Sequence, residues 1–325
     1  MHMGSRAIRV STRLAVQLLA IGVLVVGGVT PAVAARPGHG GGSGGGGTGS
    51  STTGADVSYP QCGTTLPSFA FGIVGVNDGL ANDLNPCLGP SSSYPSYTQS
   101  ELYWAVAAST GSTTQPKASL YVNTADPGNM YNGKPIADWP TSGTAPPAYG
   151  SCLTTTVTSR GHTYTVGANS DACAWQYGYL KATQDAAWLT SGATAINNQQ
   201  GTTVVPDTPS SYPWWLDVET GNTWQSDTTM NVADLQGMVA GLQAAGVTTV
   251  NAIGAYSTAS QWDSITGGTT SSAAGSLYKI PNWIPGATTQ VQAASNCTLA
   301  SFTGGSVTVT QWTGSPDNDY ACAAA

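Results

Sequence analysis

Asp217 and Glu219 stand two residues apart inside the apolar stretch "WWLDVETGNTW", Trp214 to Trp224. Burying an ionised carboxylate without a partner is expensive, so two of them in such a run need a reason. Alternate residues of a strand share a face. Trp215, Asp217 and Glu219 therefore form one face, and Trp214, Leu216 and Val218 the other. A strand whose last inward-facing residues are acids ends in a pocket. A pair of Asp/Glu side chains flanking a glycosidic bond is how most glycosidases cleave it. Glu219 keeps a proton near neutrality if Trp214, Trp215 and Trp224 wall it off from water and Asp217 repels its charge.

The inventory removes other chemistries. Of three histidines, His2 and His39 lie in the N-terminal region and only His162 lies further in, at the tip of "TVTSRGHTYTV". That stretch reads as a hairpin, where a histidine is solvated. Ser-His-Asp hydrolysis and His-rich metal sites are disfavoured. No GxxxxGK[ST] loop is present, and no cofactor or metal is expected. Fourteen of the sixteen acids are Asp; the two Glu are Glu101 and Glu219. Glu101 follows Ser100 at the start of a helix, where it complements the dipole. Glu219 has no such local role.

The elements that would position these residues alternate. Strands are predicted at 56–60, 71–77, 118–124, 213–220, 251–258, 281–285 and 306–312, with a weak one at 289–294. Helices are predicted at 100–109, 173–191 and 231–246. Alternation of this kind points to a parallel sheet. The predicted fold is α/β, an irregular (β/α)8 TIM-type barrel with a disulfide-closed insertion after strand 3, at 126–170. An open doubly wound sheet is the alternative, but its phosphate-binding glycine turn is missing.

Barrel enzymes place their chemistry at the C-terminal mouth. The strand ends bring Asp56 and Tyr59, Asn77 and Asp78, Asn123, Trp215, Tyr256, Trp283, Gln311 and Trp312 toward that mouth. Aromatic faces stack on sugar rings and amides read hydroxyls, so this cup suits a glycan. Trp139, Tyr149 and Tyr164 of the 126–170 segment are further candidates for stacking. Two functions fit: a glycoside hydrolase, or a carbohydrate-binding barrel without catalysis. A weaker third is calcium binding by Asp317 and Asp319 in "SPDNDYAC".

The stretches "ADVSYPQ", "WWLDVET" and "TQW" resemble glycoside hydrolase family 25, the lysozyme-type muramidases. A fuller set, "YPQC", "WWLDVETGNTW", "AYSTASQW" and "DNDYAC", is similar to a group of secreted actinobacterial lysozyme-like proteins, across Asp56 to Cys322. The resemblance implies Glu219 as general acid, with Asp217 and Asp56 assisting. It implies that Asp317 or Asp319 matches a late aspartate of the family. The 126–170 segment and the disulfides depart from the muramidase pattern.

The flanks speak to compartment. Arg6, Arg9 and Arg13 precede an apolar run from Leu14 to Val29, followed by Ala32-Val33-Ala34. This reads as a signal peptide over 1–34, and the apolar run is shorter than the ~18 residues of a membrane span. Residues 35–54 read as a Gly/Ser-rich linker, leaving 55–325 as the folded domain. All six cysteines lie there: Cys62, Cys87, Cys152, Cys173, Cys297 and Cys322. An even count in an exported chain implies disulfides, and neighbour pairing is the preferred one of 15 connectivities. The pair Cys297–Cys322 is expected to pin the C-terminal segment across the barrel mouth. The chain has 16 acidic and 9 basic side chains, a poor match for nucleic acid or an anionic membrane. A monomer whose partner is cell-wall glycan is expected.

Overall fold

The computed structural model describes residues 52–323 except 79–80, 82, 108, 113, 249–251 and 269–271. The predicted signal peptide and nearly all of the predicted linker lie outside the described residues.

Eight strands close into a barrel: β1 Thr53–Val57, β2 Gly72–Gly75, β3 Ala118–Asn123, β4 Trp214–Asp217, β5 Ile253–Tyr256, β6 Asn282–Ala287, β7 Val307–Trp312 and β8 Asp317–Ala321. Around the ring the order is β1-β8-β7-β6-β5-β4-β3-β2. Neighbours are parallel except β8, which runs antiparallel to both β1 and β7. The predicted all-parallel barrel therefore differs in its last strand. The reason is loop length. A parallel return needs a crossover of a dozen or more residues, and only 313–316 separate β7 from β8. The 289–294 stretch is not a strand but part of helix α5, Gln290–Asn296. Thr289 caps it by accepting from Gln292 N, and Val291 faces solvent. The first strand begins at Thr53, so the folded part starts slightly before the predicted boundary.

Helices α1 Glu101–Ala107, α2 Asp171–Gln200, α3 Thr228–Ala244 and α4 Ala259–Thr266 fill the earlier strand-to-strand connections. Helix α2 outruns its predicted span. The Ser170 side chain caps its start, and Gly201 ends it at φ 72, a left-handed C-terminal position that suits glycine. Helices α2 and α3 touch backbone to backbone. A Cβ on Gly178 would run into Asp234 O, and one on Gly237 into Trp175 O.

Two apolar layers follow from the strand period of two. Outside the barrel, Leu120, Val122, Trp214 and Leu216 pack under helix residues such as Leu189, Leu235 and Met238. Inside, Ile73, Tyr121, Trp215, Trp283 and Val309 fill the lumen. Glycines make room for the inner rings. A Cβ on Gly75 would strike Tyr121, and one on Gly254 would strike Trp215.

Three disulfides join Cys62 to Cys87, Cys152 to Cys173 and Cys297 to Cys322, the neighbour pairing. The last does not cross the mouth. β8 starts at the mouth with Asp317 and runs away from it. Cys322 thus fastens the strand at the far end, where its N–H meets Thr308 O. Between β3 and α2 lie three two-stranded sheets, 130–135, 143–152 and the 154–167 hairpin. They share a small core of Trp139, Cys152, Cys173, Tyr177 and Met230. No described helix is long and apolar enough to cross a membrane.

Candidate active site

Register sets the site. Asp217 on β4 is paired with Asn123 on β3 and with Tyr256 on β5, and Tyr256 with Trp283 on β6. These four sit in one row facing inward at the C-terminal ends of their strands. On the other side of the ring, Gln311 is paired with Asp319, and Asp56 with Asp317. Together with Glu219, just past the end of β4, all of these except the buried Asp319 bound a cleft of about 290 Å³. Ser58, Tyr121, Gly221 and Asn222 complete it.

A chain of hydrogen bonds holds the inward side chains. The Tyr256 hydroxyl donates to Gln311 Oε1 at 3.0 Å, and Gln311 Nε2 donates to Asp56 Oδ1 at 2.8 Å. Asp56 is hydrogen-bonded in turn to the Asp319 carboxyl. Trp283 Nε1 donates to Asp319 Oδ1 at 2.9 Å. Tyr121 closes the floor, its hydroxyl donating to Val57 O at 2.9 Å. Glu219 sits on a turn: its carbonyl accepts from Asn222 N at 3.1 Å and from Trp224 Nε1 at 2.8 Å.

The carboxyls of the mouth are all shifted upward. Burial pushes the Asp56 carboxyl up to about 7, against the hydrogen bond from Gln311. Burial lifts Asp217 well above the usual carboxylate range, and the charges of Glu219 and Asp56 add to it. Burial likewise raises Glu219, opposed by a hydrogen bond with Gln261. Asp319, fully buried and facing the charge of Asp56, is raised well above its ordinary value. Desolvation is the leading cause for all four.

Of the sequence-predicted residues, Asp56, Asn123, Asp217, Glu219, Tyr256, Trp283 and Gln311 line the cleft. Others do not. Asn77 is buried and accepts from Asn123 N at 2.8 Å and Nδ2 at 3.1 Å, so it orients Asn123 rather than meeting a ligand. Trp215 is plugged into the lumen below, and Trp214 lies outside the barrel, its indole donating to Pro209 O. Neither walls Glu219; Trp224 alone of the three touches its backbone. Asp319 acts from beneath. Asp78 and Trp312 lie off the cleft lining, and Tyr59 lines a neighbouring hollow. Asp317 and Asp319 belong to a strand, not a calcium-type loop.

The 124–170 segment contributes nothing to the cleft lining. Trp139 is buried against Tyr177, with its indole donating to Ala168 O. The Tyr149 hydroxyl donates to Gln236 Oε1. The expectation that this segment shapes the cleft is corrected: Trp139 and Tyr149 pack in its own core, and Tyr164 stands on the hairpin beside His162. Glu101 also departs from its expected role. It is buried, accepting from Gln61 N at 2.6 Å and Asn85 Nδ2 at 2.8 Å, and burial raises its carboxyl to about 7.

Tyr121 was missed despite a signal: it shares the period-two face of Asn123 in "ASLYVN". Asp317, one of the two late aspartates the resemblance offered, is the one that lines the cleft. Gly221 and Asn222 sit in a turn and carry no periodic signal.

A family described as "Lysozyme-like protein 1" matches residues 207–292, the segment that carries Asp217 and Glu219. A "Probable GH family 25 lysozyme 4" of Dictyostelium discoideum is 41% identical over 69 residues, 21% of this chain and 30% of that protein. The chain thus spans under a third of the length of this curated relative. Among solved structures, a muramidase from Trichobolus zukalii is 13% identical with a TM-score of 0.41, over 84% of this chain and 94% of the other. A bacterial lysozyme from Streptomyces coelicolor is 16% identical with a TM-score of 0.41, over 85% and 94%. Over residues 207–292 the chain is similar to a lysozyme-like family, and over 69 residues to a family 25 lysozyme.

Proposed function

We propose that this chain is an exported glycoside hydrolase of the lysozyme type that cleaves the glycan of peptidoglycan. The observation that carries the reading is the convergence of Asp56, Asp217 and Glu219, from two separate strands, on one cleft whose walls are Tyr121, Tyr256 and Trp283. In this reading Glu219 is the general acid that protonates the leaving oxygen. Burial raises its carboxyl, the direction an acid catalyst needs. Asp217 faces the positive charge that develops on the sugar ring and is favoured in its ionised form at that moment. Asp56, tied to Gln311 and Asp319, balances the proton count of the set. Asn123 and Gln311 read hydroxyls, while the aromatic walls stack on ring C–H groups.

The barrel is an irregular (β/α)8 of the TIM type, with the 126–170 segment as a disulfide-closed insertion after its third strand. Residues 1–34 serve as an export signal and the Gly/Ser-rich stretch that follows as a tether, in keeping with three disulfides. The acidic balance makes nucleic acid or an anionic bilayer a poor partner.

The test is release of reducing ends from purified peptidoglycan by the oxidised chain, with Glu219→Gln alongside. Hydrolysis by the parent, falling ~10²–10⁴-fold in the variant, is expected. Binding to peptidoglycan without any release of reducing ends would mark a carbohydrate-binding barrel instead.

A further inference from the structure

Next to the acidic cleft lies a second hollow of about 530 Å³, bordered by Tyr59, Gln61, Thr64, Pro86, Tyr94 and Ser315. It adjoins the cleft on two strands of chain. Ser58 lines the cleft and Tyr59 the hollow; Asp317 lines the cleft and Ser315 the hollow. Ser58 Oγ donates to Asp317 Oδ2 at 3.3 Å, joining the two at the border. The lining changes character across that line. The cleft holds four carboxylates, whereas no ionised side chain borders the hollow. Tyr59 is 62% exposed and Tyr94 36%, two rings presented to solvent with amide and hydroxyl groups between them.

The hollow is built rather than incidental. The disulfide Cys62–Cys87 bridges its two lips. Beneath them, buried Glu101 ties Gln61 N on one side and Asn85 Nδ2 on the other, and its own N–H donates to Cys87 O. The Cys87 N–H donates to Asn85 Oδ1 at 2.8 Å. Tyr94 stands on a turn closed by Ser91 N to Tyr94 O at 2.9 Å. Two exposed rings on a stapled scaffold lose little freedom when a ligand stacks on them.

We propose that this hollow is an accessory subsite for the uncharged sugar units of a glycan strand, holding the strand where it leaves the acidic cleft. The proposal rests on the reading of the cleft as a glycan site. Tyr59 and Tyr94 stack on sugar rings, and Gln61 and Thr64 hydrogen-bond hydroxyls. A charged ligand finds no counter-charge there. The strand passes from cleft to hollow over the Ser58–Asp317 border, so only a glycan longer than the cleft reaches both.

The experiment measures affinity in the oxidised full chain carrying Glu219→Gln, so that nothing is consumed. The probes are peptidoglycan glycan strands freed of stem peptides, as a tetrasaccharide and as strands several times longer. Adding Tyr94→Ala should weaken binding of the long strands by about tenfold, as loss of a central aromatic anchor does, and leave the tetrasaccharide within about twofold. Tyr94→Phe, which keeps the ring, should restore the long-strand affinity. Tyr59→Ala should reproduce the length-dependent loss. Equal weakening on both lengths, or no change on the long strands, overturns the proposal, as does a chain that binds no long strand at all. Hydrolysis by the parent is scored separately. A parent that binds long strands through Tyr94 but cleaves none refutes the enzymatic reading and leaves the subsite standing.

Discussion

Two groups of buried acids occupy this barrel, and only one of them opens to a ligand. Asp56, Asp217, Glu219 and Asp319 stand at the C-terminal mouth; Tyr256, Gln311, Asp56, Asp319 and Trp283 form one hydrogen-bonded chain there, and Asp56, Asp217 and Glu219 line the cleft. Asp126, Asp185 and Asp234 lie on the helix side, among α2, α3 and the segment after β3. Burial raises Asp126 to about 7 and lifts Asp185 and Asp234 well above the usual carboxylate range. Asp126 Oδ1 accepts from Gly128 N. Its other oxygen and both oxygens of Asp234 are buried without a hydrogen-bond partner. Asp185 is hydrogen-bonded to Asn77 and feels the charge of Lys181. The shifts look alike in the two groups. A raised carboxyl therefore does not mark a reactive one. Access to a cleft, aromatic walls and a neighbouring acid in register distinguish the mouth from the helix side.

The largest effect that separates the two regions is on stability. Removing Cys152–Cys173 by the double change Cys152→Ser, Cys173→Ser should cost ~2–5 kcal/mol of unfolding free energy. Because that segment lines no part of the cleft, hydrolysis measured well below the melting transition should be unchanged. Chemical denaturation and tetrasaccharide turnover on the same sample check this, and a fall in turnover of the folded protein would rejoin the two regions.

A smaller effect concerns pH. Asp126 has its folded pKa raised from 3.8 to about 7. Below about pH 4 it is protonated in both states and costs nothing. As pH rises toward 7 the unfolded chain gives up its proton first, so stability falls with pH across that window and stays lower above it. Asp126→Asn keeps the acceptor for Gly128 N without the proton. It should flatten the slope between pH 4 and 7 and raise stability at pH 8 by on the order of 1–3 kcal/mol. Urea melts at pH 4.5 and 8 read the difference. A slope as steep in the variant as in the parent would remove Asp126 from the acids kept protonated by burial.

Much of the mouth was legible in the sequence, because period two and the strand ends are local signals. "WWLDVET" declares its inward acids by alternation alone, and "TQW" places Gln311 in the same way. The failures share one cause: side chains whose partners come from distant segments. Asn77 reads like a ligand-binding amide until Asn123 and Asp185 are seen to use it. Trp139 reads like a stacking ring until Tyr177 covers it. Glu101 stands in the first helical turn as its sequence suggests, but nothing local reveals that Gln61 and Asn85 converge on it. The antiparallel last strand was hidden for another reason. "DNDYA" has the composition of a turn, and only the shortness of 313–316 dictates that the chain must fold straight back.

The central claim is that the mouth acids do the chemistry and the helix-side acids do not. Its most direct test is tetrasaccharide turnover at pH 6 in two isosteric variants, Glu219→Gln and Asp234→Asn, each confirmed folded by its melting transition. Turnover should drop ~10²–10⁴-fold in Glu219→Gln and stay within about twofold of the parent in Asp234→Asn. Comparable turnover in Glu219→Gln and the parent, on a glycan the parent cleaves, would contradict the account.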